Sequence, residues 1–203
     1  MKRTELVRAL ASLEPLADPD PSLEQVGTPP EAAAELLFQA LARDDLSGRD
    51  ILDLGTGAGS LAIGAARLGA RSVVGLDADP RAIALAEKNV QRLGAAVRFV
   101  EGGVETLTDH ADTVVMNPPF GAQRRHADRP FWDAAYRLAR RRIYAFSLAP
   151  SRTFIARGAV AHRARVESTT SVRWDLPAVF PHHRKPRVVL PVDLWVLTPP
   201  ERT

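Results

Sequence analysis

The chain has 203 residues, is 45% apolar and 25% charged, and lacks cysteine. That length suits a single domain, residues 1–203, with a sizeable core. The composition excludes a disordered chain, and the missing cysteines exclude disulfides, thiolate chemistry and cysteine-type zinc sites. No apolar run approaches the ~20 residues needed to cross a bilayer. The start, Met1-Lys2-Arg3-Thr4-Glu5, has no apolar signal core, so a cytoplasmic protein without membrane contact is expected.

The net charge of +3 conceals an imbalance. Residues 1–120 carry 11 basic and 18 acidic side chains, and residues 121–203 carry 16 basic and 6 acidic ones. A basic second part beside an acidic first part predicts a polyanion, nucleic acid before others, lying on one side. A solvated basic face without a partner would give the same count.

Leu6, Val7, Leu10 and Leu13 have helical spacing, and the proline-rich, acidic residues 15–21 read as a linker. In Gln25-Val26-Gly27-Thr28-Pro29-Pro30-Glu31, Thr28 suits an N-cap, Pro29 a first helical residue and Glu31 a capping-box partner. The helix runs to about residue 42, and a cofactor role for Thr28 stands beside capping. Residues 49–54 read as a buried strand ending in Gly55-Thr56-Gly57-Ala58-Gly59-Ser60, with a helix over 61–68. Glycines between strand and helix let the backbone approach a ligand closely, although phosphate and dinucleotide sites use them too. The loop lacks the Lys and Ser/Thr of a P-loop. Asp53, two residues before the first glycine, is placed to meet an ammonium or a positively charged cofactor.

Residues 73–77 form a second strand, and a carboxylate at its end, Asp77, can take both hydroxyls of a ribose. Asp79 caps the following helix with Pro80 in its first turn. Asn89 on that helix reads as a solvated polar residue. Residues 97–100 make a third strand leading into Glu101-Gly102-Gly103, and residues 111–116 a fourth that delivers Asn117-Pro118-Pro119-Phe120-Gly121. This alternation predicts a parallel sheet with right-handed crossovers and ligands outside the carboxyl ends of the strands. Gly55, Asp77, Gly103 and Asn117 all lie at such ends.

Asn117 precedes a proline and is biased to extended backbone. Pro118 and Pro119 stiffen the exit and have no N–H, which leaves their carbonyls to accept. The Asn117 amide oxygen and the Pro118 carbonyl can each accept one N–H of an amino group on a planar ring, with Phe120 stacking on the ring. Residues 121–129 read as a mobile basic loop carrying Arg124 and Arg125. A helix is expected over 130–142, its arginines 140–142 complementing the helix dipole. Then come a strand over 143–147, a helix over 151–161, and strands over 166–176 and 188–197. Between the last two lies a basic hairpin loop with Arg184, Lys185 and Arg187. His182 and His183 lack a third ligand at useful spacing, so no metal site is expected.

Asp53-Leu54-Gly55-Thr56-Gly57-Ala58-Gly59, Asp77 and Asn117-Pro118-Pro119-Phe120 together resemble a class I S-adenosylmethionine-dependent methyltransferase that modifies an exocyclic amine. Flanking segments, Leu23-Glu24-Gln25 with Thr28-Pro29, Tyr144-Ala145-Phe146-Ser147 with Ser151-Arg152, and Asp175-Leu176-Pro177-Ala178 with His183-Arg184-Lys185, resemble the archaeal and eukaryotic methyltransferase-like-protein-five group. The resemblance covers nearly the whole chain. It implies a Rossmann-like α/β fold: a seven-stranded, mostly parallel sheet, helices on both faces, and an antiparallel C-terminal strand. Residues 1–45 would be N-terminal helices capping the cofactor site.

The implied activity is methyl transfer from S-adenosylmethionine to the N6 amine of adenosine in small-subunit ribosomal RNA. Asn117, Pro118, Pro119 and Phe120 would be catalytic. Gln25 and Thr28 would close over the methionine part of the donor. Asp53, Gly55, Gly57, Ala58, Gly59 and Ser60 would line it, Asp77 would hold the ribose, and Gly103 would lie by the adenine. The family usually has Asp where Gly103 stands, so Glu101 or backbone groups would substitute. Arg124, Arg125, Arg184, Lys185 and Arg187 would bind phosphates. The resemblance also implies a small zinc-containing activator, of the methyltransferase-subunit-one-twelve type, pairing with the sheet edge. Competing readings are a guanine-N2 RNA methyltransferase, a protein-glutamine N5-methyltransferase, and a non-catalytic RNA-binding module.

Overall fold

The computed structural model describes residues 1–17, 20, 25–121, 127–177 and 187–201. The elements in chain order are α1 (Arg3–Ala11), α2 (Pro30–Ala42), β1 (Asp50–Leu54), α3 (Ser60–Arg67), β2 (Ser72–Asp77), α4 (Pro80–Leu93), β3 (Arg98–Glu101), β4 (Ala111–Met116), α5 (Arg129–Leu138), β5 (Ala139–Leu148), α6 (Arg152–Ala161), β6 (Arg165–Pro177) and β7 (Arg187–Thr198). The strands form one seven-stranded sheet in the order β3-β2-β1-β4-β5-β7-β6. The first five in that order pair in parallel, and β7 runs against both β5 and β6.

Both faces of the sheet are buried, so the central strands are almost continuously apolar. On one face Ile51, Val115, Tyr144, Phe146, Leu194 and Val196 join Leu6 and Leu10 of α1 and Leu36 and Leu37 of α2. On the other, Leu52, Leu54, Val114, Met116, Ile143 and Trp195 meet Trp132, Tyr136 and Leu138 of α5 and Ile155 of α6. Successive strand residues alternate between faces. By that alternation Asp53 and Asn117 belong to the face covered by α1 and α2. None of the described helices is long and apolar enough to cross a membrane.

Two expectations are corrected. The α5 helix ends at Leu138, and residues 140–142 lie in β5, so these arginines do not complement a helix dipole. Asp45 explains the difference. This fully buried carboxylate accepts from Arg141 Nε at 2.7 Å, Arg142 Nε at 2.9 Å and the Tyr144 hydroxyl at 2.8 Å. Its own carbonyl accepts from the buried Thr113 hydroxyl at 2.6 Å. A buried carboxylate needs opposite charge and hydrogen bonds, and extended backbone at 141–144 supplies three donors to it. Asp45 thereby ties the segment after α2 to β4 and β5. Asp45→Ala would leave the buried Tyr144 hydroxyl without its partner and remove the anchor shared by Arg141 and Arg142, which keep Asp44, Glu167 and Thr198 as partners. It is expected to cost about 1–3 kcal/mol, read as a lower denaturant midpoint with an unchanged slope.

Candidate active site

Strand register builds the site. Leu54 pairs with Leu76 on one side and Met116 on the other, and Asp77 pairs with Glu101. Gly55, Asp77, Glu101 and Asn117 therefore stand in one row at the carboxyl ends of β1, β2, β3 and β4. The sheet order reverses between β1 and β4, which makes this a topological switch point. With parallel strands ~4.8 Å apart, Asn117 and Asp77 lie roughly 10 Å from each other, on opposite sides of Gly55.

The glycine loop is pinned to β2. Gly55 N and Thr56 N donate to the Leu76 carbonyl at 2.8 and 2.9 Å. Gly57, at φ +53°, turns its N–H to the Asp77 carboxylate at 2.8 Å. The other Asp77 oxygen accepts from Asp79 N at 3.0 Å. Each carboxylate oxygen has two lone pairs, so both keep capacity for a ribose hydroxyl. Asp79 caps α4 through Arg81 N at 2.9 Å, as its position beside Pro80 predicts. The Arg81 guanidinium, then the Gln25 amide at 2.9 Å, hold its carboxyl well below the usual range. That leaves Asp77 as the carboxylate facing the ligand row.

Asp53 is 1% exposed. Its Oδ2 accepts from Thr56 Oγ1 at 2.7 Å and from Ala62 N at 3.0 Å, holding the loop against the start of α3. Its Oδ1 is buried without a partner. Burial pushes the carboxyl up to about 7 despite the bonds from Thr56 and Ala62, and the Asp77 charge adds to the rise. The carboxyl is thus buried, half-satisfied and on the site face of the sheet.

The expectation for Asn89 is overturned. It is fully buried, donates to the Ala58 carbonyl at 3.0 Å and the Glu14 carbonyl at 3.1 Å, and accepts from Glu14 N at 2.9 Å. The chain after α1 and the glycine loop are thus joined through one side chain. Its position was readable: Ala82, Ala86 and Asn89 form one helical stripe, and all three are buried.

Thr28 is not the N-cap of α2. That helix starts at Pro30, its cap position is Pro29, and no side chain caps it. Pro30 has no N–H to offer a Thr28 cap. The Thr28 hydroxyl instead accepts from Asn117 Nδ2 at 3.1 Å, and the same nitrogen donates to the Val26 carbonyl at 3.0 Å. The Asn117 amide oxygen is buried without a partner. Residues 25–28 run from Asp79, which neighbours Asp77, to Asn117. Phe120 packs edge-on against Trp174 at a centroid distance of 5.8 Å, and Trp174 packs against Phe146 at 5.0 Å. Trp174, which sequence reasoning missed, is fully buried and so fixes the Phe120 ring. It comes from β6, with no local signal for the contact.

Gly103 lies beside Asp77, since Gly102 N donates to the Asp77 carbonyl at 2.9 Å. A turn closed by Thr106 N and Thr106 Oγ1 on the Gly103 carbonyl, at 3.1 and 2.8 Å, folds Glu105 back. Its Oε2 stands 2.7 Å from where a Gly103 Cβ would be. Glu105 is the second residue missed, and the glycine is what gives its carboxylate room. Arg124, Arg125, Arg184 and Lys185 lie outside the described residues, and Arg187 opens β7. A concavity of about 420 Å³ at the opposite, amino ends of the strands is lined by Asp50, Ser72, Arg98 and Asp109, away from this convergence.

Comparison with known proteins adds three findings. The methyltransferase small domain model matches residues 29–141. The chain is 32% identical to the rRNA N(6)-adenosine-methyltransferase METTL5 of Danio rerio, over 98% of this chain and 100% of that one. It is 30% identical to the Drosophila melanogaster enzyme of the same name, over 96% and 95%. Among solved structures, a candidate RNA methyltransferase from Pyrococcus horikoshii superposes with a TM-score of 0.91 at 33% identity, covering 99% of both chains.

Proposed function

The chain belongs to the methyltransferase small-domain family, and from that premise we propose that it moves a methyl group from S-adenosylmethionine to the N6 amine of an unpaired or flipped-out adenosine in small-subunit ribosomal RNA. One observation carries the proposal: the Asn117 amide oxygen is buried and unpartnered at the switch point, beside Gly55 and in register with Asp77. Relatives named for adenosine methylation align over the whole chain, which favours adenosine over guanine N2 or a protein glutamine.

The residues present fit the donor. The orphaned Asp53 Oδ1 suits its ammonium, the backbone of Gly55, Gly57, Ala58, Gly59 and Ser60 suits its methionine part, and Asp77 suits its ribose. Gln25 and Thr28 close over it, as the helices of residues 1–45 cover that face of the sheet. Glu105, folded over Gly103, supplies the carboxylate for the adenine amine. Bound S-adenosylmethionine supplies a sulfonium-bound electrophilic methyl group.

The chain's own work is on the target amine. Adenine N6 is a poor nucleophile because its lone pair is delocalised into the ring. Asn117 Oδ1 and the Pro118 carbonyl accept its two N–H groups and favour a pyramidal nitrogen. Pro119 keeps the corner rigid, and Phe120, backed by Trp174, stacks on the ring. Base–aromatic stacking of this kind contributes roughly 1–3 kcal/mol. The amine proton becomes acidic as the methyl arrives, so no strong base is required. Orientation and charge placement supply most of the rate. A base inside a duplex cannot reach such a corner, which is why the adenosine must be unpaired or flipped.

Arg124, Arg125, Arg184, Lys185 and Arg187 hold phosphates in this reading, on the strength of the basic second part of the chain. The described sheet ends on β3 and β6, and such edges present unpaired backbone groups to which the small zinc-containing activator would pair. A cytoplasmic site of action goes with a ribosomal RNA substrate.

Asn117→Ala should lower single-turnover methyl transfer to small-subunit rRNA by roughly 10²–10³-fold while leaving donor affinity within about twofold; a wild-type rate would end the Asn117 assignment. Donor binding should also depend on pH. The donor's ammonium calls for ionised Asp53, whose carboxyl sits up at about 7 in the donor-free protein. Below that pH, binding must first expel a proton. The donor Kd is therefore expected to rise on going from pH of about 8 to about 6, approaching tenfold per unit below the Asp53 value. In Asp53→Asn that slope should vanish. Calorimetric titration across this range reads both, and a flat wild-type profile would separate Asp53 from the ammonium.

A further inference from the structure

An asparagine amide can turn about its last torsion with little intrinsic preference, presenting either a carbonyl that accepts or an NH2 that donates. Which end faces the target decides what chemistry the site takes. At Asn117 the choice is made by two groups of the segment before α2. The Val26 carbonyl, 3.0 Å from the amide, carries no hydrogen, so the amide atom facing it must be the nitrogen. The Thr28 hydroxyl, 3.1 Å from the same nitrogen, accepts its second hydrogen. Turning the amide over would set its oxygen against the Val26 oxygen, two acceptors facing each other. Both amide hydrogens are thus committed, and the buried Oδ1 is left with acceptance as its only function.

We infer that the Val26 carbonyl and the Thr28 hydroxyl are positioning groups that lock Asn117 in its accepting orientation and so select a target bearing N–H over one bearing a carbonyl or a bare ring nitrogen. The inference rests on the reading that Asn117 meets the target amine. It gives Thr28 a task in addition to closing over the donor. The other end of the same segment is anchored at the ribose side, where Gln25 Nε2 donates to Asp79 Oδ2 at 2.9 Å and Asp79 N donates to Asp77 Oδ1 at 3.0 Å. A four-residue strap, 25–28, therefore spans from the residues beside the ribose carboxylate to the amide at the transfer point. Through it, the ribose end is mechanically joined to the orientation of Asn117. The fold makes the contact available because Asn117, like Val115, points to the face that α1 and α2 cover.

Thr28→Val keeps the shape and removes the hydroxyl. With saturating donor and rRNA, its single-turnover rate is expected to fall about tenfold, the scale of one positioned hydrogen bond. Its affinity for S-adenosylhomocysteine, measured by titration, separates any loss of the closure over the donor from the loss of rate, which persists at saturating donor. Thr28→Ser, which restores the acceptor, should recover most of the rate. Three results would overturn the inference: a Thr28→Val rate equal to wild type, a loss confined to donor affinity and cured by saturation, or a Thr28→Ser protein as slow as Thr28→Val. Failure of the adenosine reading looks different. Wild-type protein would then place the methyl on another amine, and the Thr28 comparison would be scored on that amine.

Discussion

The structure depends on an asymmetry in one side chain. The Asn117 amide has its nitrogen tied to Val26 and Thr28 and its oxygen buried with nothing to accept from. A buried polar atom without a partner costs about 1–3 kcal/mol, and native proteins keep few of them. This one persists because the acceptors around the amide fix its nitrogen toward them and leave the oxygen on the side without a donor. Asp53 repeats the pattern: one oxygen organises the loop, and the other is buried without a partner. The two orphaned oxygens belong to the same face of the sheet.

That arrangement requires that several segments agree in register. Gly55, Asp77, Glu101 and Asn117 share a row only because β1, β2, β3 and β4 pair without a slip. The row is held from both sides. Asn89 joins the glycine loop to the chain after α1. Trp174, brought in by β6, packs edge-on against both Phe120 and Phe146. Asp45, far from the chemistry at the amino ends of the strands, fixes the start of β5 through two arginines and a tyrosine. Without β6 and β7, Phe120 would have no backing. Methyl transfer by orientation therefore draws on the whole sheet rather than on the motif alone.

Much of this was legible in the residues. The strand–glycine–helix pattern at 49–68, the acidic end of the second strand and the diproline corner predicted four strand ends converging, and they do. Asp79 was readable as a cap because Pro80 follows it. The misreadings share a cause. Asn89 and the arginines at 140–142 were assigned to local roles that their neighbours in sequence could satisfy, a solvated face and a helix dipole, and for Thr28 a cap stood beside a cofactor role. Thr28, Asn89, Arg141 and Arg142 instead serve partners more than thirty residues away, and local pattern does not encode those distances. Glu105 was missed because its approach to Gly103 depends on a turn, closed by Thr106, that no periodicity announces.

The account's central claim is that this corner receives an amine on adenine. Purified protein, incubated with small-subunit ribosomal RNA and methyl-labelled S-adenosylmethionine, followed by digestion to nucleosides and mass spectrometry, tests it most directly. The account predicts label in N6-methyladenosine. Label in N2-methylguanosine, or in ribosomal protein and not in RNA, would contradict it.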